Sequence, residues 1–209
     1  MRILLVDDHE IVRRGLRQLL AEAWPEASFG TAGTVSAARE AMTREPWQLI
    51  VLDINLPEGS GLDLLAQARQ LSPRVPVLVL SAYPEEEFAV RAFKLGAAGY
   101  LTKASVADEM LLAVQRVLAG GKYVSSALAD HLAEALGSPR PESPHDTLSP
   151  RELEVLCKVA TGSTIKEIAA ALQLSDSTIA TYRSRISEKL GLTSNVDLAR
   201  YALQHNLVA

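Results

Sequence analysis

The sequence predicts a doubly wound α/β domain on a parallel sheet, joined to a small all-α domain of four short helices that includes a helix-turn-helix. Three observations carry this prediction. Over the first 120 residues, short uninterrupted apolar runs alternate with stretches of helical periodicity, the pattern of a parallel sheet covered on both faces. The apolar runs end on aspartate, serine or lysine, the kind of residue that collects at the carboxyl edge of such a sheet. Beyond a proline-rich stretch at residues 137–146 the punctuation becomes purely helical.

Taken in order, Arg2-Ile3-Leu4-Leu5-Val6 reads as a buried strand running into Asp7-Asp8, and Glu10 to Trp24 as the helix after it. A helix over Ser36 to Arg44 precedes the apolar run Leu49-Ile50-Val51-Leu52, which ends on Asp53. Gly61 to Leu71 reads as helix, Val75 to Leu80 as a strand ending on Ser81, Glu85 to Leu95 as helix, and Gly99 to Thr102 as a strand ending on Lys103. The helix from Val106 to Ala119 lines one face with Val106, Met110, Leu111, Val114, Val117 and Leu118. A five-stranded sheet of the flavodoxin-like order follows from this alternation.

Ser125 to Leu136 reads as one more helix leading out of the first domain, and residues 137–146 as an extended linker with little to bury. The expected domains are 1–120, then 121–146 as helix and proline-rich linker, then 147–209. In the last of these, Ser149-Pro150-Arg151-Glu152 fits a capping box with proline at the first helical position. The helix it opens runs to about Thr161 and stops at Gly162. Ile165 to Leu172 forms a short helix, and Gln173-Leu174-Ser175 a tight link to a longer helix ending near Leu190. A further cap at Ser194 or Asn195 opens Val196 to His205. The pair joined by the tight link is a helix-turn-helix, with the second helix, whose apolar stripe is Ile179, Ile186 and Leu190, as its reading element.

Composition agrees with a multidomain cytoplasmic protein. With 48% hydrophobic residues there is enough to build cores, and no run approaches the ~20 apolar residues that span a bilayer. The start is too short in apolar residues for a signal peptide. A single cysteine, Cys157, rules out an intrachain disulfide and reads as a small core residue. His131 and His145 read as surface residues. Residues 147–209 carry a net charge of plus one, against minus five for the remainder, so charge alone does not establish nucleic-acid binding.

Parallel strands bring Asp7, Asp8, Asp53, Ser81 and Lys103 to one edge of the sheet. Each residue by itself would be a cap or a solvated loop residue, and Asp8 would suit the cap of the next helix. Together they are a different matter, because three crowded carboxylates are tolerable when a cation is shared among them. Asp7 and Asp8 read as ligands for a hard divalent ion, Mg²⁺ above all. Asp53 completes the shell and is placed as a nucleophile, with Lys103 and the Ser81 hydroxyl ready to neutralise a transferred phosphoryl group.

These residues resemble the response-regulator receiver domain of two-component signalling. The resemblance rests on Asp7 and Asp8, Asp53-Ile54-Asn55-Leu56-Pro57, Gly61, Ser81-Ala82 and Gly99-Tyr100-Leu101-Thr102-Lys103. It implies that Asp53 accepts a phosphoryl group from a sensor histidine kinase. It further implies that Mg²⁺ is held by Asp8, Asp53 and the Asn55 carbonyl with Asp7 helping through water, and that Ser81, Lys103 and Tyr100 sense the phosphoryl group. Asn55 and Tyr83 stand where the family tunes dephosphorylation.

A second resemblance covers the C-terminal domain. Leu148 to Leu156, Gly162, Lys166-Glu167-Ile168-Ala169, Leu174-Ser175, Thr178-Ile179 and Lys189-Leu190-Gly191 are similar to the LuxR-type DNA-binding domain. With the receiver this gives the NarL/FixJ arrangement of transcription regulators, closest to the branch that includes the GacA and UvrY regulators. By position, Lys166 and Thr178 would touch phosphates, with Tyr182 and Arg185 fixing the helix, while Ala180, Thr181, Ser184 and Arg183 would face base edges. Ala180 departs from the basic residue common there and offers apolar contact to a thymine methyl. The implied partners are double-stranded promoter DNA with inverted half-sites, a second copy of the chain on activation through the last helix, and RNA polymerase as a candidate. No membrane partner is expected.

An aspartyl-phosphate phosphatase of the haloacid-dehalogenase type uses similar groups. It resembles a pattern with alternate aspartates on the first strand, whereas Asp7 and Asp8 are adjacent here. A DNA binder with a vestigial receiver is disfavoured because every acidic position is filled.

Overall fold

The computed structural model describes residues 1–56, 59–81, 85–125, 128–129, 143–205 and 207–208, with side chains not described at 85–87. The chain divides into two compact units, Met1–Asp130 and His131–Ala209.

The first unit is built on five parallel strands, β1 (Arg2–Val6), β2 (Ser28–Ala32), β3 (Leu49–Asp53), β6 (Val77–Ser81) and β7 (Gly99–Thr102), in the order β2-β1-β3-β6-β7. Two-residue strands β4 (Asn55–Leu56) and β5 (Gly59–Ser60) form a separate antiparallel pair beyond Asp53. The sheet strands other than β2 are almost entirely buried and read as continuous apolar runs because helices cover both faces. Successive side chains alternate between faces. Ile3, Leu5, Val51, Leu78 and Leu80 share one core with Leu16 and Leu20 of α1 (Glu10–Ala23) and with Met110, Ala113, Val114 and Val117 of α5 (Val106–Leu118). The remaining helices α2 (Val35–Arg44), α3 (Gly61–Leu71) and α4 (Glu85–Lys94) pack on one another in sequence, α2 on α3 and α3 on α4.

All five helices lie within a residue or so of the ranges expected from sequence. Strand β2 had no apolar run to announce it, because Ser28-Phe29-Gly30-Thr31-Ala32 is a half-exposed edge strand. The opposite edge is extended by a single bridge between Gly99 and Tyr123, with the Tyr123 N–H donating to the Ala98 carbonyl. Strand β6 starts at Val77, after Pro76, whose missing N–H suits the position before a strand.

The described residues of the second unit form four α-helices, α6 (Pro150–Ala160), α7 (Ile165–Leu172), α8 (Asp176–Leu190) and α9 (Asn195–Gln204). Each start has a side-chain cap. Ser149 and Thr164 make full capping boxes with Glu152 and Glu167, and Ser175 and Ser194 accept from Thr178 N–H and Asp197 N–H. The core is Leu153, Leu156, Ile168, Leu172, Ile179, Ile186, Leu198 and Ala202, and Cys157 is buried within it. Gln173 links α7 to α8 in the left-handed region at φ 50°, and Gly191 ends α8 the same way at φ 67°.

Two expectations need correction or restriction. Residues Pro144–Thr147 are folded as a 3₁₀ turn, not extended linker. His145 there is buried at 2% exposure, with Nδ1 2.9 Å from Tyr201 Oη and its ring 5.1 Å from that of His205. Residues 137–142 of the expected linker and most of the helix Ser125 to Leu136, His131 included, lie outside the described residues. Leu128 and Ala129 are helical there.

Ser149→Ala should cost about 1 kcal/mol of stability, the usual worth of a capping serine. Urea unfolding of the C-terminal unit reads this as a lower midpoint at unchanged slope.

Candidate functional site

Parallel pairing places the ends of β1, β3, β6 and β7 side by side. Val6 pairs with Leu52, Asp53 with Leu80, and Ser81 with Thr102, so the residues that follow are level at one edge. Asp7, Asp53 and Ser81 are all fully buried. The loop after β7 is tied back by the Lys103 N–H, which donates to the Ser81 carbonyl at 2.7 Å.

Lys103 then reaches across the edge. Its Nζ lies 2.6 Å from Asp53 Oδ2 and 2.7 Å from Asp7 Oδ2. The other Asp53 oxygen, Oδ1, accepts from Asn55 N–H at 2.8 Å, and Asp7 Oδ1 accepts from His9 N–H at 2.8 Å. Gly61 closes the loop behind Asp53. A Cβ at that position would lie 2.4 Å from both the Asp53 carbonyl oxygen and Ile54 Cα, so the approach excludes any side chain.

One ammonium does not neutralise this set of carboxylates. Burial pushes the Asp53 carboxyl up to about 7, with Lys103 opposing and the nearby Asp7 charge adding to the rise. Burial also penalises the Lys103 ammonium, but Asp53 and Asp7 outweigh it and raise the Lys103 pKa. Asp7, Asp8, His9 and Asp53 present ligand atoms all within 4.8 Å of one another. Asp7 Oδ2 and Asp8 Oδ1 are buried oxygens that accept no well-formed hydrogen bond, although Lys103 Nζ and His9 Nδ1 (2.6 Å from Asp8 Oδ1) are close. Underbonded carboxylate oxygens in a compact group are the donor set a hard cation needs, so the residues present fit such an ion.

The alternative reading of Asp8 as a helix cap is not what forms, since His9 is the N-cap of α1 and makes no side-chain cap bond. Tyr100 is fully buried on β7, between the pocket and the Tyr123 bridge. Pro57, Ala82 and Tyr83 lie outside the described residues. Sequence reasoning did not pick out His9, which lies beside two of the carboxylates, or Arg13, whose Nη1 donates to the Asp7 carbonyl. The doublet Asp7-Asp8 immediately before His9 was the signal available for the first.

In the C-terminal unit the helix-turn-helix forms as α7, the turn at Gln173, and α8. Ala180, Thr181, Ser184 and Arg185 are exposed on α8, opposite the buried Ile179 and Ile186. Lys166 is exposed on α7, and Thr178 and Tyr182 are partly buried. Arg183, expected beside the base-facing residues, is partly buried, and its Nε donates to Asn195 Oδ1 at 2.6 Å. Lys189, quoted within the motif Lys189-Leu190-Gly191, was given no contact from sequence. It secures the end of α8 by contacting Glu152 Oε2 at 2.6 Å and the Thr147 carbonyl at 3.0 Å.

Residues 3–115 match the family model of the response regulator receiver domain, and residues 146–202 that of bacterial regulatory proteins of the luxR family. The chain is 34% identical to Response regulator GacA of Pseudomonas aeruginosa, covering all of this chain and 98% of that protein. It is 30% identical to Response regulator UvrY of Escherichia coli, covering 99% and 95%. Among solved structures, the RcsB response regulator of Salmonella typhimurium shares the fold with a TM-score of 0.59 at 24% identity, over 98% of each chain. Among the described residues no helix is long and apolar enough to cross a membrane.

The raised Asp53 pKa predicts a pH dependence of stability in chelator. Between the unfolded value of 3.8 and about 7 the folded state holds a proton that the unfolded chain has lost, so stability falls as pH rises through that window. Asp53→Asn removes the effect. Its advantage over the wild type should grow across the window to the order of a few kcal/mol, read by urea unfolding at several pH values.

Proposed function

The chain belongs to the response regulators that join a receiver domain to a luxR-type DNA-binding domain, and from that premise we propose how its residues divide the work of a phosphorylation-activated transcription regulator. The observation that carries the reading is the Asp53 carboxylate, buried between Asn55 N–H and Lys103 Nζ at the sheet edge. A sensor histidine kinase donates the phosphoryl group, and an Asp53 carboxylate oxygen is the nucleophile. Asp8, Asp53 and the Asn55 carbonyl would hold Mg²⁺, with Asp7 acting through water, and the ion would supply neutralisation of charge on the phosphoryl oxygens.

Lys103 has a second partner in Asp7, which supports a role in following the charge from Asp53 to the phosphoryl group. Ser81 is one residue beyond the strand neighbour of Asp53, close enough to accompany that change. Tyr100, on the next strand, is the residue whose rotamer answers Ser81. Asn55 and Tyr83 set the lifetime of the phosphoryl group. The protein is a phosphoacceptor with at most self-directed phosphotransfer and dephosphorylation, and it does not turn over a substrate.

The output is DNA binding and dimerisation of the C-terminal domain. On α8, Ala180, Thr181 and Ser184 face base edges, Arg185 and Tyr182 fix the helix, and Lys166 and Thr178 meet phosphates. Arg183 joins them after giving up Asn195. Two copies associate through α9 on inverted half-sites of promoter DNA, where RNA polymerase is the further partner. Phosphorylation must bias the off and on states by about 5.5 kcal/mol to turn a mostly-off population mostly on.

Asp53→Asn should keep the fold, checked by circular dichroism, and take up no label from a small phosphoryl donor. Label retained by the variant would move the acceptor elsewhere. Lys166→Ala should weaken binding to all DNA sequences alike and reduce the salt slope by about one, whereas Thr181→Val should alter base preference at constant slope. Binding titrations against salt, on selected and scrambled DNA, separate the two.

A further inference from the structure

The buried pair Arg151 and Glu154 has no part in the work described so far. These residues lie three apart near the start of α6, at 5% and 3% exposure, with Arg151 Nη1 2.5 Å from Glu154 Oε2. Their place is the core of a small four-helix unit, where two charges are expensive to bury. Apolar residues of similar volume in such a position are often neutral or better for stability. The pair is also incompletely satisfied. Glu154 Oε1 is buried without a hydrogen-bond partner, and burial raises the Glu154 pKa despite the neighbouring guanidinium. Stability of the unit does not account for this arrangement.

The other end of the guanidinium supplies a reason. Arg151 Nη2 donates to the Leu172 carbonyl at 3.1 Å, and Leu172 is the last residue of α7. That carbonyl is one of the four at a helix end that lack an intrahelical partner. The next residue, Gln173, is in the left-handed region and is the one non-glycine with positive φ among the described residues. Gln173 and Leu174 N–H donate back to the Ala170 and Ala169 carbonyls, and two residues on Ser175 caps α8. The direction in which α8 leaves α7 is set across these three residues. Arg151, clamped by Glu154, holds the peptide at which the change of direction begins.

Arg151 meets the carboxylate with Nη1 and the carbonyl with Nη2, two nitrogens of one rigid plane, and a lysine would have to draw both acceptors around its single nitrogen, which changes the geometry of the grip. A cation at the carboxyl end of α7 is also favoured by the helix dipole.

We propose that Arg151 and Glu154 are positioning residues for DNA reading: they fix the angle of α8 through the Leu172 carbonyl, and so govern discrimination between sequences rather than affinity for the phosphate backbone. This rests on the assignment of α8 as the reading helix. With α8 misaimed, Lys166 on α7 still meets a phosphate surface, so non-specific binding and its salt dependence survive. Base contacts demand a closer fit and do not.

The test uses the full-length protein, phosphorylated by a small phosphoryl donor, and DNA selected by the wild type from a random pool. The double variant Arg151→Met with Glu154→Leu should melt within a few degrees of the wild type. It should lose about tenfold or more in its preference for the selected DNA over a scrambled duplex, at unchanged scrambled-DNA affinity and salt slope. Glu154→Gln keeps an acceptor for Arg151 and should retain the preference within a few fold. If the double variant does not fold, Arg151→Lys carries the same comparison. A variant that keeps the full preference, or loses selected and scrambled binding in parallel, overturns the proposal while leaving the DNA-reading assignment intact. Failure of the wild type to select any discrete DNA overturns both.

Discussion

The ammonium of Lys103, held between Asp7 and Asp53, is the interaction on which the receiver unit depends. Those two carboxylates are fully buried at adjacent strand ends, and without a cation between them the sheet edge would carry unshielded like charge at short range. The bridge is a compromise, since it leaves Asp53 with a pKa near 7 and leaves buried oxygens of Asp7 and Asp8 underbonded. A pocket poised in this way gains from an added cation and can exchange one charge distribution for another at little cost. Lys103 sits at the end of β7 and its main chain is bonded to Ser81 on β6, so any shift of its side chain is felt on two strands.

Much of this was legible in the sequence, because buried parallel strands write themselves as apolar runs and their terminal residues stand out against that background. Asp7, Asp53, Ser81 and Lys103 were each visible as the polar stop to such a run. The half-exposed β2 was not visible, since an edge strand of Ser, Phe, Gly, Thr and Ala follows no simple pattern. His9 escaped for a different reason, because its place beside the carboxylates depends on the backbone turning at Asp7-Asp8, which no periodicity reports.

The C-terminal unit was legible through its caps. Ser149 with Glu152 and Gly162 or Gly191 after a helix are local signals with local causes, and the boundaries they mark agree closely with the helices that form. What could not be read there were the contacts between residues far apart in sequence. Lys189 to Glu152, Arg151 to the Leu172 carbonyl, and His145 to Tyr201 each join elements whose relative placement is a property of packing. His145 was misread on this account, for a histidine among prolines has the composition of a linker and the burial of a core residue once Tyr201 and His205 stack around it.

The two margins of the sheet are closed in different ways. An open sheet has two outermost strands whose free backbone groups can template pairing with another chain, and in cells that is a route to aggregation. Here one margin is β2, which is five residues long and carries polar side chains, and the other is occupied at Gly99 by the segment bearing Tyr123. Neither offers a long apolar strip for a second copy to join. Self-association by strand addition is thereby discouraged, and contacts made through the unit fall to its helical faces, which can come apart without unravelling a sheet.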